Sequence, residues 1–178
     1  MTAEQLDFRR DLIEGCKRGE RQAQRQLYED YCDAMYNVAL RIVGDTHKAE
    51  DILQTSFLDV FRAIDSYNYS ATPGAWIKRI VINNSISTVR RKGVAMVYLD
   101  ETPDRAEELP MNEEGLSMTS IKSAIAKLPD GYRTILTLYL IDGYDHGEIS
   151  DILDISVATS KSQYSRAKKK LRSMISRR

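Results

Sequence analysis

Between residues 49 and 64 small and apolar side chains return every three or four positions: Ala49, Ile52, Leu53, Ser56, Phe57, Val60, Phe61 and Ile64. At about 3.6 residues per turn these fall on one stripe, so the segment can bury them together only as an amphipathic helix packed against other helices. Asp45 or Thr46 stands ahead of it as a helix cap, and the opposite face carries Asp51, Gln54, Thr55, Leu58 and Arg62. The same period recurs upstream in Phe8, Leu12, Ile13 and Cys16 before Gly19, and in Ala23, Leu27, Tyr31, Met35, Val38 and Ile42 before Gly44, whose position suits a C-terminal cap. Thr72-Pro73 reads as an N-cap with proline in the first helical position, opening a helix to about Arg91. That helix is rich in β-branched residues, so its formation depends on burial more than on propensity. Arg79, Asn83, Ser87 and Arg90 make one polar stripe along it.

Residues 93–117 hold two prolines, no sustained period and a cluster of acids, and read as a flexible acidic linker. Val94 to Leu99 has no obvious strand partner and is taken as extended chain. Periodicity resumes with Ile121, Ile125 and Leu128 before Pro129, then Tyr132, Ile135, Leu136 and Tyr139 up to Gly143. Asp145 with Glu148 has the spacing of a capping box and opens a short helix with Ile149, Ile152 and Leu153 inward. Asp154-Ile155-Ser156 is a tight connection, Ser156 caps the last helix, and Tyr164, Ala167, Leu171 and Met174 or Ile175 form that helix's inner side. A short helix, a short turn and a longer basic helix is the pattern of a helix-turn-helix. The expected fold is therefore all-α, with two small helical domains, 1–92 and 118–178, joined through 93–117.

Charge is unevenly spread although the totals cancel, 26 basic against 26 acidic residues. Ser66 to Leu99 carries five basic residues and no acid, Ser156 to Arg178 carries eight and no acid, and Asp100 to Glu114 carries seven acids against Arg105. Two positive patches flanking a negative connector could meet a polyanion in two places, or could be two solvated helix faces. Cys16, Cys32, His47 and His146 have no zinc-ligand spacing, so the cysteines are expected as thiols and no metal or other cofactor is expected. No apolar run approaches the ~20 residues of a membrane span, and MTAEQLDFRRDLIEG lacks a secretory apolar core, which predicts a cytoplasmic protein. There is no P-loop, GxGxxG or nucleophile arrangement, so an enzyme is not expected.

AEDILQTSFLDVFRAI (Ala49 to Ile64) resembles the region 2 helix with which sigma factors dock on the clamp helices of RNA polymerase. WIKRIVINNSISTVRRK (Trp76 to Lys92) resembles the segment that opens and reads the −10 element, and Leu128 to Arg172 is similar to region 4, which reads the −35 element. No room is left for regions 1.1 or 3, which points to the extracytoplasmic-function group. The resemblance implies a sigma factor that binds core RNA polymerase and promoter DNA, with an anti-sigma factor as a further partner. It implies polymerase contacts at Asp51, Gln54, Thr55 and Leu58. For the −10 element it implies a base pocket at Tyr67, Asn68 and Tyr69, completed by Trp76 and Asn83, with Arg79, Arg90, Arg91 and Lys92 on phosphates; Trp76 could equally be core. For the −35 element it implies Thr159, Lys161, Ser162, Ser165 and Arg166, with Lys169 and its neighbours on phosphates. The chain departs from the family pattern at Thr55, Ser87, Ser160 and Gln163, departures that bear on which promoter is read. Rival readings are a helix-turn-helix regulator binding operator DNA as a dimer, an enzyme acting on nucleic acid, and a polymerase-binding adaptor that never reads DNA.

Overall fold

The computed structural model describes residues 3–91 and 118–175, with side chains from residues 9 and 121 onward in the two stretches. The expected linker 93–117, with Lys92, Arg177, Arg178 and the side chain of Phe8, lies outside the described residues. The described residues are helical without strands, and the chain divides into two compact units, Met1–Ser87 and Thr88–Arg178.

In the first unit α1 (Ala3–Lys17), α2 (Arg21–Val43) and α3 (Thr46–Ala63) follow at short intervals, α3 ends in a 3₁₀ turn (Ile64–Ser66), and α4 (Pro73–Arg91), which runs past the unit boundary at Ser87, begins after a loop. Local chemistry sets the corners. Gly44 takes a left-handed φ of 66° and returns its N–H to Leu40 O at 2.8 Å, closing α2. Asp45 then accepts the Lys48 N–H at 3.0 Å to start α3, and the Thr72 hydroxyl accepts the Ala75 N–H at 3.2 Å to start α4. The 49–64 stripe is inward as its period requires, with Ala49, Ile52, Leu53, Ser56, Phe57, Val60 and Ile64 buried. It meets Leu27, Met35, Val38, Ala39 and Ile42 of α2, and Ile77, Val81 and Ile82 of α4 are fully buried in turn. Each such aliphatic side chain contributes about 1.5–3 kcal/mol, which compensates for the modest propensity of α4. Asn84 ties α4 to α3 by donating to Ser56 Oγ at 3.1 Å and Asp59 Oδ2 at 3.0 Å. α1 lies tight on α2 because residue 15 is glycine: a Cβ there would stand 2.8 Å from Ala23 Cβ. Cys16 is a buried thiol on this seam, its pKa pushed up to about 11 chiefly by burial.

The second unit holds α5 (Met118–Ala126), α6 (Asp130–Leu136), α7 (His146–Leu153) and α8 (Val157–Ile175). The expected break at Pro129 is there, and a buried arginine secures it: Arg133 donates to Leu128 O at 2.9 Å and Ala126 O at 3.3 Å, and pairs with Asp130. The expected continuation of α6 to Gly143 differs in detail. Thr137–Ile141 widens into a π turn closed by Asp142 N–H to Thr137 O at 2.9 Å, which leaves Leu140 and Ile141 exposed. The capping box at the start of α7 is complete, with Glu148 N to Asp145 Oδ1 at 2.8 Å and Asp145 N to Glu148 Oε2 at 2.9 Å. Asp154 turns left-handed at φ 51°, and the Ser156 hydroxyl accepts the Thr159 N–H at 3.0 Å to open α8. Leu136, Leu138, Ile149, Leu153 and Ala167 form the core beneath this helix-turn-helix.

Candidate functional site

Three surfaces collect the residues singled out from the sequence. On α3, Asp51, Gln54, Thr55 and Leu58 are all exposed at spacings of three, one and three, hence on one face. Leu58 stands out there, an apolar side chain 55% exposed among polar neighbours.

The second surface is the loop between the 3₁₀ turn and α4 with the polar stripe that follows it. The stripe is as expected: Asn83, Ser87, Arg90 and Arg91 are exposed and Arg79 half-buried. Asn83 and Asn84 divide their work, since the second amide is committed to α3. The aromatic loop is unevenly exposed. Tyr67 is only 4% exposed, its hydroxyl donates to Ala71 O at 2.5 Å, and its ring lies 4.8 Å from Tyr69 and 5.1 Å from Trp76. Tyr67 is therefore held beneath its loop, and Tyr69, 39% exposed, is the more open of the two rings. Trp76 is half-buried against Tyr67 and serves partly as core. Asn68 is exposed, but its carboxamide oxygen accepts the Ser70 N–H at 3.1 Å and shapes the loop. Tyr69 is held from α1, a contact the sequence did not suggest. Its hydroxyl donates to Glu14, the Lys17 ammonium lies 4.8 Å and the Arg10 guanidinium 5.5 Å from its ring centre, and Lys17 pairs with Glu14 at 3.3 Å. Partial burial and the Glu14 carboxylate push the Tyr69 phenol up to about 12, while the Tyr69 hydrogen bond and Lys17 hold the Glu14 carboxyl below its ordinary value.

The third surface is the outer side of α8. Lys161, Ser162, Ser165 and Lys169 are exposed and Arg166 is half-buried at the edge of the same face. Two hydroxyls are engaged within the helix: Thr159 with Ser156 Oγ at 2.8 Å and Ser162 with Thr159 O at 3.0 Å. Ser160 and Gln163, two of the departures from the family pattern, face inward at 0% and 8% exposure. Ser160 Oγ lies 2.8 Å from His146 Nδ1, whose ring stacks on Tyr139 at 4.6 Å beside Tyr164. His146 is thus a packed residue joining the two helices of the motif. Burial, with Lys161 nearby and Asp145 opposing, holds its pKa below the ordinary value. Among the described residues no cluster of His, Cys, Asp or Glu could hold a metal, and no helix is long and apolar enough to cross a membrane.

Residues 27–94 match the family model for Sigma-70 region 2, and residues 118–171 match that for Sigma-70, region 4. Fold and surfaces together define a transcription initiation factor assembled from these two regions. The chain is 31% identical over 177 residues to the ECF RNA polymerase sigma factor SigW of Bacillus subtilis, covering 92% of this chain and 94% of that one. It is 30% identical over 158 residues to the ECF RNA polymerase sigma factor SigE of Mycolicibacterium smegmatis, covering 85% and 61%. The chain belongs to the extracytoplasmic-function family of RNA polymerase sigma factors, and as such it directs RNA polymerase in transcription initiation. Its fold is also that of the sigma factor RpoE in complex with the anti-sigma factor NepR from Bartonella quintana, with a TM-score of 0.58 at 22% identity over 85% of this chain and 96% of that one. CnrH in complex with the cytosolic domain of CnrY gives a TM-score of 0.56 at 20% identity over 94% and 97%.

Proposed function

We propose that the three surfaces divide the work of initiation. The α3 face, Asp51, Gln54, Thr55 and Leu58, docks on core RNA polymerase: exposed carboxylate and amide groups pair with a basic helical partner around one apolar contact. Tyr69 stacks an unpaired base of the −10 element, a contact of about 1–3 kcal/mol. Asn83 reads a base edge, Asn68 and Trp76 complete the pocket, Tyr67 supports it, and Arg79, Arg90 and Arg91 hold phosphates. Lys161, Ser162, Ser165 and Arg166 face the −35 element in the major groove, Thr159 fixes the start of the helix, and Lys169 meets the phosphate backbone.

The observation that carries this reading is the two-sidedness of α8, where Ser160, Gln163 and Ala167 are buried while Lys161, Ser162 and Ser165 are exposed. In this reading residues 1–92 form the region 2 module, 93–117 a linker and 118–178 the region 4 module. The chain acts by binding, as a cytoplasmic protein and without chemistry of its own. An anti-sigma factor is the regulatory partner, a role supported by the NepR complex of a fold relative.

In vitro transcription with core polymerase and a genomic promoter library tests it. The full chain should confer defined start sites, and Asp51→Arg with Gln54→Ala should abolish co-purification with core polymerase while the chain stays folded. Tight sequence-specific binding to duplex DNA by the chain alone would favour an operator-binding regulator instead.

A further inference from the structure

Tyr69 sits in the left-handed region at φ 64°, a conformation that costs a bulky side chain energy unless its surroundings hold it there. Its ring has support from below in Tyr67, 4.8 Å between centres. What fixes it from the side comes from α1: Glu14 accepts the phenol hydrogen, and Lys17 and Arg10 stand 4.8 and 5.5 Å from the ring centre. These α1 residues precede the matched region 2 segment, which starts at residue 27. Glycine at position 15 lets α1 approach α2 closely, where a Cβ would stand 2.8 Å from Ala23 Cβ. Even so, 39% of Tyr69 remains exposed.

We infer that Glu14 is a positioning residue for promoter opening: by binding the Tyr69 hydroxyl it holds the left-handed loop so that this ring is presented before the base arrives. The inference rests on the reading of Tyr69 as the base-stacking ring. Pre-setting the ring removes an ordering step from base capture, so losing the brace slows opening without weakening recruitment, to which polymerase docking and the −35 contacts contribute.

The test uses holoenzyme made from core polymerase and the full chain, on a promoter identified in the transcription assay and carrying 2-aminopurine in the −10 element. Closed-complex affinity and opening rate are measured separately, with the thermal midpoint of each variant as the fold control. Tyr69→Phe keeps the ring and removes the hydroxyl; Glu14→Ala removes the acceptor; Glu14→Gln keeps an acceptor oxygen. Tyr69→Phe and Glu14→Ala should each slow opening by about five- to tenfold, with the double variant no slower than either single and closed-complex affinity and midpoint unchanged. Glu14→Gln should remain within about twofold of the original rate. Tyr69→Ala should be slowest of all. Opening at the original rate in Glu14→Ala and Tyr69→Phe, with Tyr69→Ala slow, overturns the brace and leaves the stacking role standing. Independent, multiplying defects in the double variant overturn it as well, as does a parallel fall in midpoint, affinity and rate. An unaffected Tyr69→Ala removes the stacking reading and the brace together.

Discussion

On the proposed assignment, the two units hold their DNA-facing groups by different means. In the second unit they ride on a regular helix whose start is set by bonds three residues apart, Ser156 to Thr159, after a capping box at Asp145 and Glu148. In the first unit the exposed Tyr69 ring sits on an irregular loop with a left-handed φ and is hydrogen-bonded to Glu14, 55 residues earlier in the chain. A reader of duplex DNA needs a stiff element that fits a groove, and a helix supplies one cheaply from local interactions. A pocket for an unpaired base needs a concave, non-repeating surface, and only long-range packing builds that.

If the contrast is right, removing the support under the loop should have the largest effect. Tyr67→Ala takes out a 4% exposed ring packed on Trp76 and Tyr69, at the ~3–5 kcal/mol typical of buried aromatic truncation. Denaturant unfolding should show that loss in the first unit's transition, whereas Tyr69→Ala should leave stability nearly unchanged. Comparable losses for both would mean the two rings are not support and presenter.

The helix reader allows a sharper separation of reading from attraction. Arg166→Ala should cost about 1–3 kcal/mol at one base pair of a −35 substitution series, while Lys169→Ala should weaken holoenzyme binding uniformly and flatten its salt dependence. A uniform loss in both moves base reading off Arg166.

Local caps should matter more to the second unit. Asp145→Ala removes the side-chain acceptor of the Glu148 N–H while keeping the backbone N–H that donates to Glu148 Oε2, and should lower that unit's stability by about 1 kcal/mol. The unfolding transition of the first unit, followed by the fluorescence of Trp76, should not move.

The smallest contrast is in pH. Burial depresses the folded-state pKa of His146 below its ordinary 6.5, so the unfolded chain takes up the proton first. Its contribution is therefore complete above about 6.5 and is lost as pH falls through the folded value. Tyr139, Tyr164, Ser160, Asp145 and Lys161 surround the ring, and of these Lys161 deepens the shift while Asp145 opposes it. Unfolding followed between pH 7 and 5 should show the second unit weakening first, and His146→Gln should remove that slope. A slope that survives the substitution assigns it to another group.

Much of this was legible in the residue order. The stripe from Ala49 to Ile64, the caps at Gly44, Asp45, Thr72, Asp145 and Ser156, and the exposed faces of α3, α4 and α8 follow from spacings of three or four, because helices bring such neighbours together whatever surrounds them. Tyr67 and Tyr69 are two positions apart in an aperiodic loop, and nothing in their order says which is buried. Ser160 and Gln163 look like surface residues on a basic helix until His146 and the core close over them. The π turn at Thr137–Ile141, the burial of Arg133 and the reach of Glu14 to Tyr69 are of the same kind. The helices, most of their ends and their outward faces could be read from residue order, since those depend on contacts within a turn. Which polar and aromatic groups are buried and which are exposed could not be, because burial depends on segments far apart in the chain that meet only when the core is packed.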